Sequence, residues 1–343
     1  MIVVGAGLAG TTLAWALHRR GIDFELLDKG ETVTSSRIAA GLMTPITGKR
    51  LTKTWRHDEL FPFATEFYRS IEAETGASFY HPRSIVRIFA KPGEATRFAE
   101  RRAEFGELGR EPSPPLNAEW FHEQPVGFEM STAAQLDVPA YLDASRSYLE
   151  MLGKYLVADV LPEDVEVSES GVALPRLNVR AERIIFCQGF AGASNPLTRS
   201  LPFRAAKGEI LTVRIRDLPE RRILNSGHWL APCGPELWRF GATYSWDDLT
   251  HESTAAGRSE LEAALSKMLN RPFEVIDQQA AVRPIIAGQR PVLGFFGESR
   301  IGVFNGLGSK GALMAPFFAA QFAGSLAGTA TIDPDVDVRF RCT

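Results

Sequence analysis

The sequence predicts a mixed α/β fold, α+β overall, in which a nucleotide-type parallel sheet is joined to a second, antiparallel sheet. Three observations predict it. A strand, a glycine turn, a helix and a second strand follow one another within the first 28 residues. Continuous apolar stretches of the parallel-sheet kind recur at 183–187 and 301–304. Between them, short segments separated by turn residues read as an antiparallel meander.

Residues 2–4 form a buried strand, and 8–20 a helix with Leu13, Ala16 and Leu17 inward and Gly21 as its stop. Residues 24–27 form a second strand ending at Asp28. A small-residue loop over 35–50 precedes a helix over 58–75, and 84–89 alternates as a half-buried strand. Pro112, Pro114 and Pro115 force a loop over 110–116. A helix covers 138 to about 154. The meander comprises 209–215, 227–232 and 236–243, followed by a helix around 259–269. Residues 311–328 carry no charge, yet Ala and Gly dominate them and Pro316 and Gln321 interrupt them. A membrane span needs about 20 strongly apolar residues, so a buried helix is expected instead.

Nucleotide-type elements thus open, interrupt and close the chain. Residues 1–76, 131–200 and 282–343 are assigned to one discontinuous domain, and 77–130 and 201–281 to the other.

With 343 residues and 45% hydrophobic content, the chain can bury one large core or two moderate ones. A net charge of -3 with scattered Lys and Arg offers no basic field, so nucleic acid is not an expected partner. Cys187, Cys233 and Cys342 show no C-x-x-C spacing, and their odd number argues against a disulfide framework. The N-terminus enters an apolar strand without a charged leader, so a cytoplasmic protein is expected. None of His18, His57, His81, His122, His228 and His251 makes an H-x-H or H-E-x-x-H pair, so no metal site is expected. Gly48-Lys49 is followed by Arg50, which spoils a P-loop, and no G-x-S-x-G elbow occurs.

The principal motif is Gly5-Ala6-Gly7-Leu8-Ala9-Gly10, set between strand and helix. Gly5 permits the tight turn, Gly7 lets backbone approach a pyrophosphate, and Gly10 allows the helix to pack on the sheet. Asp28, with Lys29 beside it, ends the next strand, where its carboxylate accepts from a ribose hydroxyl. This motif alone does not separate FAD from NAD.

Four further stretches accompany it: Ser35-Ser36-Arg37-Ile38-Ala39-Ala40-Gly41 with Thr44-Pro45, residues 184–189 ending in Cys187-Gln188-Gly189, Val282-Arg283-Pro284, and Asn305-Gly306-Leu307-Gly308-Ser309-Lys310-Gly311. In order and spacing they resemble the D-amino acid oxidase family of flavoproteins, in particular its glycine oxidase and sarcosine oxidase branch. The resemblance covers nearly the whole chain. It implies FAD held in a Rossmann-like domain of the glutathione-reductase type, with an antiparallel-sheet substrate domain beside it. It also implies that Ser36, Arg37, Ala40 and Gly41 meet the second phosphate and ribityl chain, with Leu42 and Met43 near the isoalloxazine. The strand carrying Cys187 and Gly189 passes beneath the cofactor. Buried Cys187 reads as a small hydrophobe and is assigned no catalysis.

By the same resemblance, the Gly306 to Gly311 turn lies beside the flavin N1 and C2 carbonyl edge. There its amides, its helix dipole and Lys310 face developing negative charge; a Lys310 that snorkels to solvent is the alternative. Arg283 resembles the arginine that pairs with the substrate carboxylate, a role its fork of donors suits. An interdomain ion pair is the other reading of Arg283. Trp229 and Tyr244 are placed on the antiparallel sheet as pocket walls or as core. Lys207-Gly208-Glu209 marks the crossing between domains, with Gly208 serving backbone geometry.

The resemblance implies oxidation of the C–N bond of a small amine or amino acid by hydride transfer to flavin N5, with O2 reoxidising the flavin to give H2O2. Three alternatives stay open: a dehydrogenase with another electron acceptor, a tRNA wobble-uridine side-chain oxidase, which the region from Ala40 to Pro45 also resembles, and a non-catalytic FAD-binding protein.

Overall fold

The computed structural model describes residues 1–48, 50–89, 93–121 and 127–341. Lys49, His122 and Cys342, which enter the sequence arguments above, lie outside the described residues.

A six-stranded sheet is ordered Tyr155–Val157, Glu25–Asp28, Ile2–Val4, Ile184–Phe186, Ile301–Asn305, Val292–Phe295. The first five strands are mutually parallel and the last is antiparallel to its neighbour. The helix Leu8–His18 is buried from Leu8 to Leu17, because it packs against the parallel sheet and is covered by the helices Gly311–Leu326 and Val138–Met151. The helix Gly311–Leu326 runs through Pro316 and is buried from Gly311 to Pro316. One apolar cluster joins these two helices to His57–Thr75 and Val138–Met151 through Leu13, Trp15, Tyr68, Tyr141 and Phe318. Its buried polar atoms are paired: Trp15 Nε1 donates to Ser145 Oγ at 2.9 Å, and Tyr68 Oη donates to the Ala312 carbonyl at 3.0 Å.

A seven-stranded sheet is ordered Glu274–Arg283, Ala206–Arg214, Leu237–Gly241, His228–Gly234, Ile223–Ser226, Ile85–Ile88, Gly127–Met130. All its pairings are antiparallel except that of Ile223–Ser226 with Ile85–Ile88. Alternation along each strand divides its side chains between two faces. Leu211, Leu224, Leu230 and Phe240 pack with Leu261 and Leu265 of the helix Ala255–Met268. The opposite face presents Gly208, Ile210, Asn225, Trp229, Ala281 and Arg283 to a cavity.

The structure adds elements that the sequence pattern did not signal. The helix Glu94–Phe105 is so polar that its only buried residues are Glu94 and Phe105. The small sheet Glu166–Ser168, Gly171–Leu174, Val179–Ala181 is built of strands too short for alternation to register. The strand Glu274–Arg283 spends its first half at the exposed edge of its sheet, and its apolar residues come only at its end. Tyr244 lies just beyond the strand Leu237–Gly241, between Thr243 and Ser245, whose backbones still pair with Glu209 and Lys207 of the strand Ala206–Arg214. Among the described residues no helix is long and apolar enough to cross a membrane, and no cluster of His, Cys, Asp or Glu is arranged to hold a metal.

Candidate active site

A cavity of about 870 Å³ separates the C-terminal ends of the parallel strands from the polar-and-small face of the seven-stranded sheet. One end is the glycine turn. Gly5 has φ +98°, and a Cβ there would lie 2.7 Å from the Cys187 carbonyl oxygen. At Gly10 a Cβ would lie 1.8 Å from the Gly5 carbonyl oxygen, so only glycine lets the helix start this close to the turn. Ser36 crosses from the next loop, and its Oγ accepts from the Leu8 amide at 3.0 Å. Gly7 leaves no room for a side chain beside that hydroxyl, since a Cβ would lie 2.9 Å from it. The N-cap residue Gly7 has no side chain to cap this helix; Ser36 takes the Leu8 amide, and the N-terminus borders the cavity that Gly7, Leu8 and Ala9 line.

Asp28 holds the turn in shape: its Oδ2 accepts from the Ala6 amide at 2.8 Å and its Oδ1 from the Gly30 amide at 2.7 Å. Tyr155 Oη also donates to Oδ1 at 3.5 Å, while Oδ2 has the Ala6 amide as its one partner among the described residues; Asp28 and Lys29 both line the cavity. Lys29 is half exposed and paired with Glu31 at 2.6 Å.

Ala40, Gly41, Leu42, Cys187 and Gly189 form the middle of the cavity. Burial pushes the Cys187 thiol well above its ordinary pKa, as befits an inert apolar side chain. Leu307, Gly308, Ser309, Lys310 and Gly311 close one side. They lead into a second helix whose N-terminus has no side-chain cap. Lys310 lies within 3.4 Å of Thr47 Oγ1, and burial pushes its pKa down. It lines the cavity and is partly buried.

At the far end stands Arg283. Its Nη1 donates to the Lys207 carbonyl at 3.1 Å and its Nη2 to the Thr243 carbonyl at 3.3 Å, while Cζ lies 4.2 Å from the Tyr244 ring centre. Among the described residues no carboxylate pairs with it, and desolvation lowers its pKa. The interdomain ion pair is therefore not what this residue makes. Tyr244 and Trp229 both line the cavity beside it.

Other predicted site residues fall elsewhere. Met43 is fully buried in the core while Leu42 faces the cavity, because neighbours on a strand point to opposite sides. Arg37 pairs with Asp143, and with Ala6 it lines a pocket of about 190 Å³ that adjoins the cavity, sharing Gly7, Asp28, Glu31 and Thr34 with it. Gly10 and Gly306 act through packing: a Cβ on Gly306, at φ +76°, would lie 2.6 Å from Ile286 Cδ1. The cavity residues that sequence reasoning passed over include Asn225 and His251, neither of which belongs to a motif.

Two helix N-termini, a glycine cradle at one and a lysine at the other, fit an extended dinucleotide, whose phosphates the Gly7 end would hold and whose ring the Lys310 end would hold. The family model for the DAO family of FAD dependent oxidoreductases matches residues 1–324. This chain belongs to the DAO family. It is an FAD-dependent oxidoreductase, and the cofactor of the cradle is FAD. This DAO-family chain superimposes on glycine oxidase from Geobacillus kaustophilus with TM-score 0.82 and 17% identity, covering 100% of this chain and 97% of that one. It superimposes on iminodiacetate oxidase from Chelativorans sp. BNC1 with TM-score 0.79 and 18% identity, covering 97% and 96%. In sequence it is 24% identical to the tRNA 5-methylaminomethyl-2-thiouridine biosynthesis bifunctional protein MnmC of Caulobacter vibrioides over 95% of this chain. It spans only 54% of that protein's length. It is also 24% identical to the uncharacterized oxidoreductase YurR of Bacillus subtilis, covering 96% of this chain and 95% of that one.

Proposed function

We propose that this oxidoreductase oxidises the C–N bond of a small amine or amino acid that carries a carboxylate, and that Arg283 holds that carboxylate. The single observation that carries the reading is a desolvated guanidinium, without a carboxylate partner among the described residues, directed into the cofactor cavity. Such a group retains unspent donors that an anionic ligand satisfies bidentately.

FAD, when bound, supplies the hydride acceptor and later passes the electrons to O2 or to another acceptor. The chain's own residues do the rest. Arg283 fixes one end of the substrate, so that the carbon bearing the nitrogen is presented toward the Lys310 side of the cavity. Ile210, Ala281 and Trp229 exclude water from the reacting bond. Lys310 and the N-terminus of Gly311–Leu326 supply positive potential where reduction places negative charge. A neutral amine needs no protein base for hydride loss, and the iminium product is hydrolysed by water. The division into a cofactor domain (1–76, 131–200, 282–343) and a substrate domain (77–130, 201–281), and a cytoplasmic setting, belong to the same proposal.

The test is steady-state turnover of amino acids against their decarboxylated amines in wild type and Arg283→Ala. The reading predicts that the wild type prefers the acid-bearing member and that Arg283→Ala removes this preference. A preference that survives the substitution contradicts it.

A further inference from the structure

Asn225 enters the same cavity from the strand Ile223–Ser226, fifth in the seven-stranded sheet counted from the strand that carries Arg283. Cross-strand partners share a face, and the register across this sheet runs Arg87, Asn225, Trp229, Gly241, Ile210. Arg87 is buried; its Nη1 donates to Asn225 Oδ1 at 2.7 Å, and its Nη2 pairs with buried Glu94 at 3.0 Å. A guanidinium has no acceptor, so only the amide oxygen can face it. The Asn225 NH2 group is thereby turned away from Arg87, and among the described residues no group accepts from it.

We propose that Asn225 is a second substrate anchor, whose Nδ2 donates to an acceptor oxygen at the end of the substrate remote from the carboxylate on Arg283. This rests on the carboxylate reading of Arg283. The guanidinium lies over Gly208 on the strand Ala206–Arg214, three strands from Asn225. At roughly 4.8 Å per strand, with Gly208 two residues (about 6.8 Å) along the strand from Ile210, which is level with Asn225, the two anchors stand about 16 Å apart. A hydrogen bond of about 2.9 Å at each end leaves room for a chain of roughly six to eight carbons. The substrate class is therefore an extended amino acid, N-substituted or with a long side chain, that ends in a second carboxylate or a carbonyl. Bare glycine is too short to reach both anchors.

The FAD-loaded protein is titrated with the dicarboxylates from succinate to suberate and with monocarboxylates of equal chain length, read by the flavin spectrum and by calorimetry. The proposal predicts at least tenfold tighter binding of one dicarboxylate than of its monocarboxylate in wild type. Asn225→Asp keeps an oxygen for Arg87 but loses the donor, and it should reduce that preference to within about twofold at unchanged FAD content. Asn225→Ser is read the same way, so that the result does not hang on one variant. Arg283→Ala should weaken both ligands alike. Equal binding of the two series by wild type, or a preference that survives both Asn225 variants, overturns the second anchor. A preference lost in the Asn225 variants alongside an inert Arg283→Ala overturns the Arg283 reading instead, and with it the span measured from that residue.

Discussion

A Cβ on Gly208 would lie 1.9 Å from Nη2 of Arg283 and 2.3 Å from its Cζ, so the guanidinium occupies the space that any other residue at 208 would fill. Arg283 pairs with Ala206 across the ladder, and its side chain reaches diagonally over Gly208, which pairs with Ala281. The Tyr244 ring closes the other side. Gly208→Ala should therefore displace the guanidinium and raise KM for carboxylate-bearing substrates at least tenfold, about 1.4 kcal/mol or more, with FAD still bound. Arg283→Ala should do the same, and the double variant should be no worse than Arg283→Ala alone. Additive losses in that cycle would show that Gly208 acts elsewhere.

Gly7→Val is expected to give a colourless protein. Its branched side chain must enter the space where Ser36 Oγ meets the Leu8 amide, at the helix N-terminus that receives the pyrophosphate. The measure is flavin absorbance of the purified protein, and retained yellow colour refutes the contact.

Lys310→Met removes a desolvated cation from the site where reduction adds negative charge. The reduced state loses more than the oxidised one, so the flavin midpoint potential should fall by about 30 mV or more, a tenfold change for a two-electron couple. Spectroelectrochemistry reads the shift. An unchanged or raised potential would remove Lys310 from the cofactor's electrostatics.

His57 carries a buried Nε2 with no hydrogen-bond partner, and desolvation lowers its pKa to about 4, with Lys53 and Lys310 acting in the same direction. The unfolded chain binds a proton near pH 6.5 that the folded chain refuses until about pH 4, so stability is full above pH 6.5 and falls as pH drops through that window. By pH 5 the loss is about 2 kcal/mol. His57→Phe should flatten this dependence, as read by urea unfolding at two pH values. An equally steep fall in the variant would assign the dependence to other groups.

The cofactor end was far more legible than the substrate end, for a physical reason. Gly5, Gly7 and Gly10 act within one turn, so sequence spacing carries their geometry, and the apolar run Ile2–Val4 and the acid Asp28 fall at fixed offsets from them. Arg283 was legible only through its resemblance. What places its guanidinium, the missing Cβ of Gly208, lies 75 residues away and is visible only once two strands are in register. Asn225 carries no sequence signal, because its role follows from Arg87 on a strand paired in parallel with its own. Tyr244 was expected on the sheet; it follows the strand Leu237–Gly241 at its edge, next to Ser245, which still bridges Lys207, and its ring lies over Arg283. Arg37 stands in a loop matched by order alone, and the acid on the helix Val138–Met151 that draws it away, Asp143, is distant in sequence.

The most direct test is the visible spectrum of the FAD-loaded protein, recorded anaerobically before and after addition of glycine, sarcosine, proline, D-amino acids and the longer N-carboxyalkyl amino acids. Bleaching of the flavin band by at least one acid-bearing amine, and by none of the decarboxylated partners at equal concentration, is the predicted result. A flavin that dithionite bleaches while every amine leaves it oxidised would contradict the assignment of amine oxidation to this site.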